Sequence, residues 1–302
     1  MSARPGLLLM AYGTPRSLDD VADYYTDIRG GRPPPPKLLE ELIERYRAIG
    51  GRSPLLEITR AQAAGIEARA GVRAYLGQKH AAPFIADAVA DMARDGVERA
   101  VGLVLAPHYS SLSVGDYAWR ARRAAHAVDW KGRLDIVESW HLEPGFVELL
   151  ADGVRAALHR FSPGTRGEAI VIFSAHSLPE RIVADGDPYP RQVAETAEAV
   201  AGRAGLERWR VAWQSAGRTP EPWIGPQLVE VIGELAGSGV RSVVVCPCGF
   251  VSDHLEVLYD IDVEAARVAA HQGIHLTRTA SLNDDPVFLD VLAAVARRTL
   301  GL

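Results

Sequence analysis

The stretch Ala169-Ile-Val-Ile-Phe-Ser-Ala-His-Ser-Leu-Pro179 decides the fold. Ile170 to Phe173 is apolar at every position, on both alternating faces. That pattern suits a central parallel strand covered on both sides by helices. The run stops at Ser174-Ala-His-Ser177, and Pro179 prevents a ladder from simply continuing. His176 therefore lies just past the carboxyl end of a buried strand, where open α/β sheets hold their ligands. A histidine hydrogen-bonded within a loop fits the same position, so the site needs a second element.

Three other apolar runs resemble this one: Leu7-Leu-Leu-Met-Ala-Tyr12, Val101-Gly-Leu-Val-Leu-Ala106 and Val243-Val-Val-Cys246, which reads as the last long buried strand. Shorter strands are predicted at 72–76, 134–138 and 209–213. Helices are predicted at about 21–28, 37–49, 57–70, 83–95, 146–161, 192–204, 226–237, 252–271 and 286–300, with one more carrying Tyr117 and Arg120. Residues 181–190 and 214–223 read as loops. Strands alternating with helices predict an α/β protein of two doubly wound, Rossmann-like lobes whose parallel sheets face a central cleft. Ser162-Pro-Gly-Thr-Arg-Gly167 is rich in turn residues, which places the lobes at 1–166 and 167–302. There is also an internal echo. Leu7 to Pro15 resembles Ile170 to Pro179, and Val104 to Ser111 resembles Val245 to Ser252. No glycine-rich dinucleotide or phosphate loop follows any of these strands.

The chain has 302 residues, 48% hydrophobic and 24% charged, as expected of a soluble globular protein. Its net charge of −5 argues against nucleic-acid binding, which normally shows as a basic domain. No segment approaches the roughly 20 apolar residues needed to span a bilayer. Met1-Ser-Ala-Arg-Pro-Gly6 leads straight into a strand, without a signal-peptide pattern, so a cytoplasmic protein is expected. Cys246 and Cys248 are the two cysteines of the sequence. Two thiols cannot complete a four-cysteine metal or cluster site, and they read as small buried residues at a strand end.

Two helices carry candidate site residues. On 37–49, Leu38, Leu39, Leu42, Ile43, Tyr46 and Ile49 share one arc, and Arg45 lies at its edge. Arg45 can snorkel to water or point a fork into a pocket beside Tyr46. On 252–271, Glu256, Asp260 and Glu264 follow i, i+4, i+8 with Asp253 one turn earlier. A continuous α-helix would make them one acidic stripe, with Leu255, Leu258, Ala265 and Ala269 on the buried side. Such a stripe is either a solvated face or a file of hard oxygen ligands that conducts a hydrated divalent cation.

With both elements in view, the sequence resembles the ferrochelatases over essentially its whole length. The motifs that carry the resemblance are Met10-Ala-Tyr-Gly-Thr-Pro15, Arg45-Tyr-x-Ala-Ile-Gly-Gly-x-Ser-Pro54, Ser174-Ala-His-Ser-Leu-Pro179, Trp213-Gln-Ser215 and Gly249-Phe-Val-Ser-Asp-His-Leu-Glu-Val-Leu-Tyr-Asp260. The resemblance implies a two-lobed α/β chelatase that inserts ferrous iron into a porphyrin. It is nearest to the short, soluble type acting on coproporphyrin III, with release of two protons in haem biosynthesis. By the same resemblance His176 and Glu256 act on iron and the pyrrole protons, and Tyr12 is an axial ligand to product iron. Arg29, Arg45, Tyr46, Ser53 and Tyr117 would surround the porphyrin and its carboxylates, with Asp260 and Glu264 on an outer metal path. The residue types agree, because a neutral imidazole can both accept a proton and meet a metal.

The [2Fe–2S] cluster of some ferrochelatases is not expected with two cysteines, and no cofactor is expected beyond the substrate iron. A monomer is expected, with no nucleic-acid partner, no membrane span and at most a transient haem-pathway enzyme as partner. The rival readings are a protoporphyrin IX ferrochelatase, a sirohydrochlorin chelatase, and a non-catalytic porphyrin or haem carrier. A carrier has no need of a base and a metal path together.

Overall fold

The computed structural model describes residues 4–302. From its start the chain forms β1 (Pro5–Ala11), α1 (Val21–Ile28), α2 (Pro36–Ala48), α3 (Leu55–Ala70), β2 (Arg73–Gln78), α4 (Ile85–Arg94), β3 (Arg99–Val104), α5 (Val114–Ala127) and β4 (Arg133–Val137). There follow α6 (Pro144–Leu158), α7 (Pro163–Arg166), β5 (Ile170–His176), α8 (Arg181–Ala184), α9 (Tyr189–Ala204), β6 (Trp209–Gln214), α10 (Leu228–Gly237) and β7 (Ser242–Cys246). The last elements are α11 (Leu255–Leu258), a π-helical turn (Asp260–Ala265), α12 (Ala266–His271), β8 (His275–Arg278) and α13 (Pro286–Leu300).

Two four-stranded sheets result, ordered β2-β1-β3-β4 and β6-β5-β7-β8. All pairs are parallel. Leu7 to Met10 in β1 and Val171 to Phe173 in β5 are fully buried, as central strands flanked by helices must be. The internal echo falls on equivalent strands, with β1 matching β5 and β3 matching β7. In each sheet the order reverses between those two strands, and that switch point is where an α/β sheet opens toward a ligand.

The chain divides into two compact units at positions other than those expected. Unit 1 comprises 1–140, 252–254 and 283–302, and unit 2 comprises 141–251 and 255–282. The boundary lies at Trp140 and not at 166 because α6 packs against α9 and β7, within unit 2. The turn-rich 162–167 segment is the short α7 inside that unit, its fold set by Pro163 at the first helical position. At the other end, α13 packs against α3 in unit 1. It buries Phe288, Leu289, Leu292, Ala293, Val295, Ala296 and Leu300.

Other expectations shift locally. Strand β5 runs on through His176, and the 181–190 loop contains α8 and the start of α9. The short edge strand β8, half-buried, has no clear signal in the sequence. The helix expected over 252–271 is broken instead. The amide of Tyr259 bonds the carbonyl of Leu255, four residues back, at 2.7 Å, but that of Glu264 reaches five back to Tyr259 at 2.9 Å. Such a π-turn carries an extra residue and rotates everything beyond it.

Candidate active site

In unit 2 the site begins at the last residue of β5. His176 Nε2 lies 3.7 Å from Glu256 Oε1, with the two side chains 31% and 30% exposed, so both remain accessible. The ring's Nδ1 faces the Ser177 carbonyl, which makes Nδ1–H the donor there and directs Nε2 at the carboxylate. Burial is the largest single influence and works against the imidazolium, but the charge and hydrogen bond of Glu256, the Ser177 carbonyl and Asp260 together outweigh it. The histidine therefore sits above its ordinary value. An imidazole placed this way has its protonated form stabilised by a carboxylate, which suits a group that takes up a proton.

The position of this pair is fixed by neighbours. Tyr189 Oη donates to the His176 carbonyl at 2.9 Å. Gly249 bonds the Ser174 carbonyl through its amide at 3.1 Å. A Cβ on Gly249 would meet Ala175 Cβ at 2.6 Å, so only glycine lets the loop after β7 lie this close to the strand. The loop then presents Phe250, whose ring centre is 6.5 Å from that of His176.

The acidic residues beyond Glu256 do not form the expected stripe. Asp260 is buried and accepts a hydrogen bond from the Ser215 hydroxyl, and Glu264 is half-buried. The buried face is Val257, Ile261, Ala265 and Ala269, while Leu255 and Leu258 are half-exposed. Of the residues expected on the buried side, Ala265 and Ala269 are there, whereas Leu255 and Leu258, which precede the π-turn, are not. Among the described residues no group of three or more His, Cys, Asp or Glu side chains is arranged to hold a metal ion. Cys246 and Cys248 are buried, and burial pushes Cys246 up to about 12 and Cys248 well above its ordinary value.

Unit 1 holds the remaining candidates. Tyr12 follows β1 directly and is 39% exposed. Its ring meets His80 edge-on at 4.7 Å, and Lys79 Nζ lies 5.9 Å from its centre. Lys79 is anchored on Asp116, and His80 Nδ1 is 2.7 Å from Asp27 Oδ2. Burial pushes His80 down to about 4, so at neutral pH this is a bond from a neutral ring. Arg29 caps α1 and lies over the Tyr25 ring at 5.9 Å, and its Nε is buried with no hydrogen-bond partner. Arg45 is half-buried. Tyr46, Ser53 and Tyr117 are buried within the unit. The Tyr46 hydroxyl lies 3.3 Å from Thr14 Oγ1, and Ser53 Oγ accepts from the Leu55 amide at 3.2 Å.

Lys79, His80, Tyr189, Gln214 and Ser215 are site neighbours to which the sequence alone assigned no part. The last two stand in the Trp213-Gln-Ser215 motif, so their signal was present without a role.

The ferrochelatase family profile matches residues 4–300. The chain belongs to the ferrochelatase family. It is 47% identical to the coproporphyrin III ferrochelatase of Anoxybacillus flavithermus over 298 residues, 96% of this chain and 94% of that one. It is 46% identical to the ferrochelatase of Deinococcus radiodurans over 302 residues, 97% and 95% of the two chains. Among solved structures, the cobalt complex of the sirohydrochlorin chelatase SirB from Bacillus subtilis subspecies spizizenii matches with a TM-score of 0.61. That match has 11% identity and covers 98% of this chain and 95% of the other, a likeness of fold. The family is thus established by sequence and the chelatase fold by structure. No helix of the described residues is long and apolar enough to cross a membrane.

Proposed function

We propose that this ferrochelatase inserts Fe²⁺ into coproporphyrin III, releasing two protons and forming coprohaem, with no cofactor beyond the substrate metal. The observation that carries the reaction is the His176–Glu256 pair at 3.7 Å, at the switch point of the second sheet. Insertion replaces two pyrrole N–H protons by a metal. Neutral His176 takes a proton at Nε2, and Glu256 stabilises the imidazolium and passes the proton on. Tyr12 serves as axial ligand to product iron. Asp260 and Glu264 supply oxygen ligands on the way in, Asp260 held by Ser215.

Support for a tetracarboxylate substrate comes from relatives named coproporphyrin III ferrochelatases and from Arg29. Its buried, unpartnered Nε–H is a costly donor that a propionate would satisfy. Arg45, Tyr46, Ser53 and Tyr117 complete the porphyrin contacts.

The test is an anaerobic insertion assay with coproporphyrin III, protoporphyrin IX and sirohydrochlorin in parallel, followed by absorbance. Coproporphyrin III is expected to be metallated fastest. Binding of the porphyrins without any metallation would leave only a carrier.

A further inference from the structure

Gln214 ends β6, is 3% exposed, and touches both halves of the proposed catalytic pair. Its backbone stands beside His176 in the sheet register, and its carbonyl accepts from the Ser177 amide at 2.7 Å. Its side chain reaches the other way. Nε2 donates to the backbone carbonyl of Glu256 at 2.8 Å, and Oε1 accepts from Ser174 Oγ at 2.8 Å. The two partners settle the amide's orientation, because a carbonyl can only accept and so must face the NH₂ end. One residue therefore ties the strand bearing His176 to the turn bearing Glu256. The neighbouring Ser215, in the left-handed region at φ 61°, directs its hydroxyl to Asp260.

We propose that Gln214 is a positioning residue for metal insertion, holding Glu256 at its working distance from His176 through the Ser174–Gln214–Glu256 hydrogen-bond chain. The proposal rests on the reading of His176 and Glu256 as the acting pair. A glutamate backbone held at one point from a rigid sheet keeps its carboxylate in register with the imidazole. Misplacing a proton-handling group by about 1 Å is enough to cost on the order of a hundredfold in rate.

The experiment compares Gln214→Leu and Ser174→Ala, each alone and combined with Glu256→Gln, by anaerobic Fe²⁺ insertion into coproporphyrin III. Gln214→Leu is expected to lower kcat about tenfold, with KM for porphyrin within about twofold and porphyrin still quenching tryptophan fluorescence. Ser174→Ala should move kcat in the same direction by less. In the Glu256→Gln background neither substitution should lower kcat further, because what they position is already gone. Equal losses in both backgrounds mean a general structural role and overturn the proposal, as does an unchanged kcat in both single variants. Where Gln214→Leu fails to fold, the Ser174→Ala pair carries the same comparison. Wild-type kcat in Glu256→Gln alone overturns the reading of the pair and this proposal with it. A sensitive Glu256→Gln beside insensitive Gln214→Leu and Ser174→Ala overturns the proposal only.

Discussion

At the scale of single residues, the sequence singles out His176 by the buried apolar run that stops just before it, and the structure sets it 3.7 Å from Glu256. Glu256 stands out by the length of the motif that carries it. What the sequence did not reveal was how each is held, since Gln214 and Tyr189 act through sheet register and hydrogen bonds that no local pattern encodes. His176→Ala is expected to nearly abolish insertion while porphyrin binding, read by tryptophan quenching, persists. More than about a tenth of the wild-type rate, a loss of only about 1.4 kcal/mol, would remove it from the central role. In unit 1, His80 gives a pH dependence of stability. Burial lowers it to about 4 in the folded chain, against an ordinary value of about 6.5. A group favoured neutral by folding contributes stability above pH 6.5, and that contribution is lost as pH falls from about 6.5 to about 4. The shift corresponds to about 3 kcal/mol. Denaturant titrations at pH 7 and pH 4.5 should show a stability loss that shrinks in His80→Gln. An unchanged loss would place the acid sensitivity elsewhere.

At the scale of elements, strand and helix positions followed from periodicity, and most boundaries agree within a few residues. The difference that matters lies in the segment after β7, where the expected continuous α-helix is interrupted by a π-turn. Nothing in Asp260-Ile-Asp-Val-Glu-Ala265 announces the extra residue. Ile261 and Ala265, both within the turn, reach the core that Val243 and Val245 also line. Asp260 lies inside, bonded to Ser215, and not on an exposed stripe. For the metal path this changes the weight of the two carboxylates. Asp260→Asn keeps the volume and a hydrogen bond to Ser215 but removes the charge, and it should raise the apparent KM for Fe²⁺ more than Glu264→Gln does. Changes confined to the porphyrin parameters would show that neither carboxylate guides the metal.

At the scale of the whole molecule, the two-sheet α/β architecture and the repeat were readable from alternating strands and helices. The unit boundaries were not, because the turn-rich 162–167 segment mimics a linker while packing decides where α6 belongs. Substrate choice also belongs to this scale. A coproporphyrin has propionates where protoporphyrin IX has two vinyl groups, so with protoporphyrin IX a donor such as Arg29 Nε would face an apolar substituent. An unpaired buried donor costs about 1–3 kcal/mol, which predicts at least a roughly tenfold preference for coproporphyrin III in kcat/KM under matched detergent. Equal values would overturn the substrate while leaving family membership intact. The docking of α13 on α3 bears, finally, on how the chain is born. All four strands of unit 1 have been translated by Val137, yet Arg99 waits to donate to the carbonyls of Thr299 and Leu300, and α3 waits for Leu289 beside Gly65 and Asp290 beside Arg69. Domains ordinarily fold as they leave the ribosome, amino-terminal first. Here the first unit begun is the last completed. A nascent chain stalled at 282 should present an open, protease-sensitive face on α3, and a separate peptide of residues 283–302 should close it.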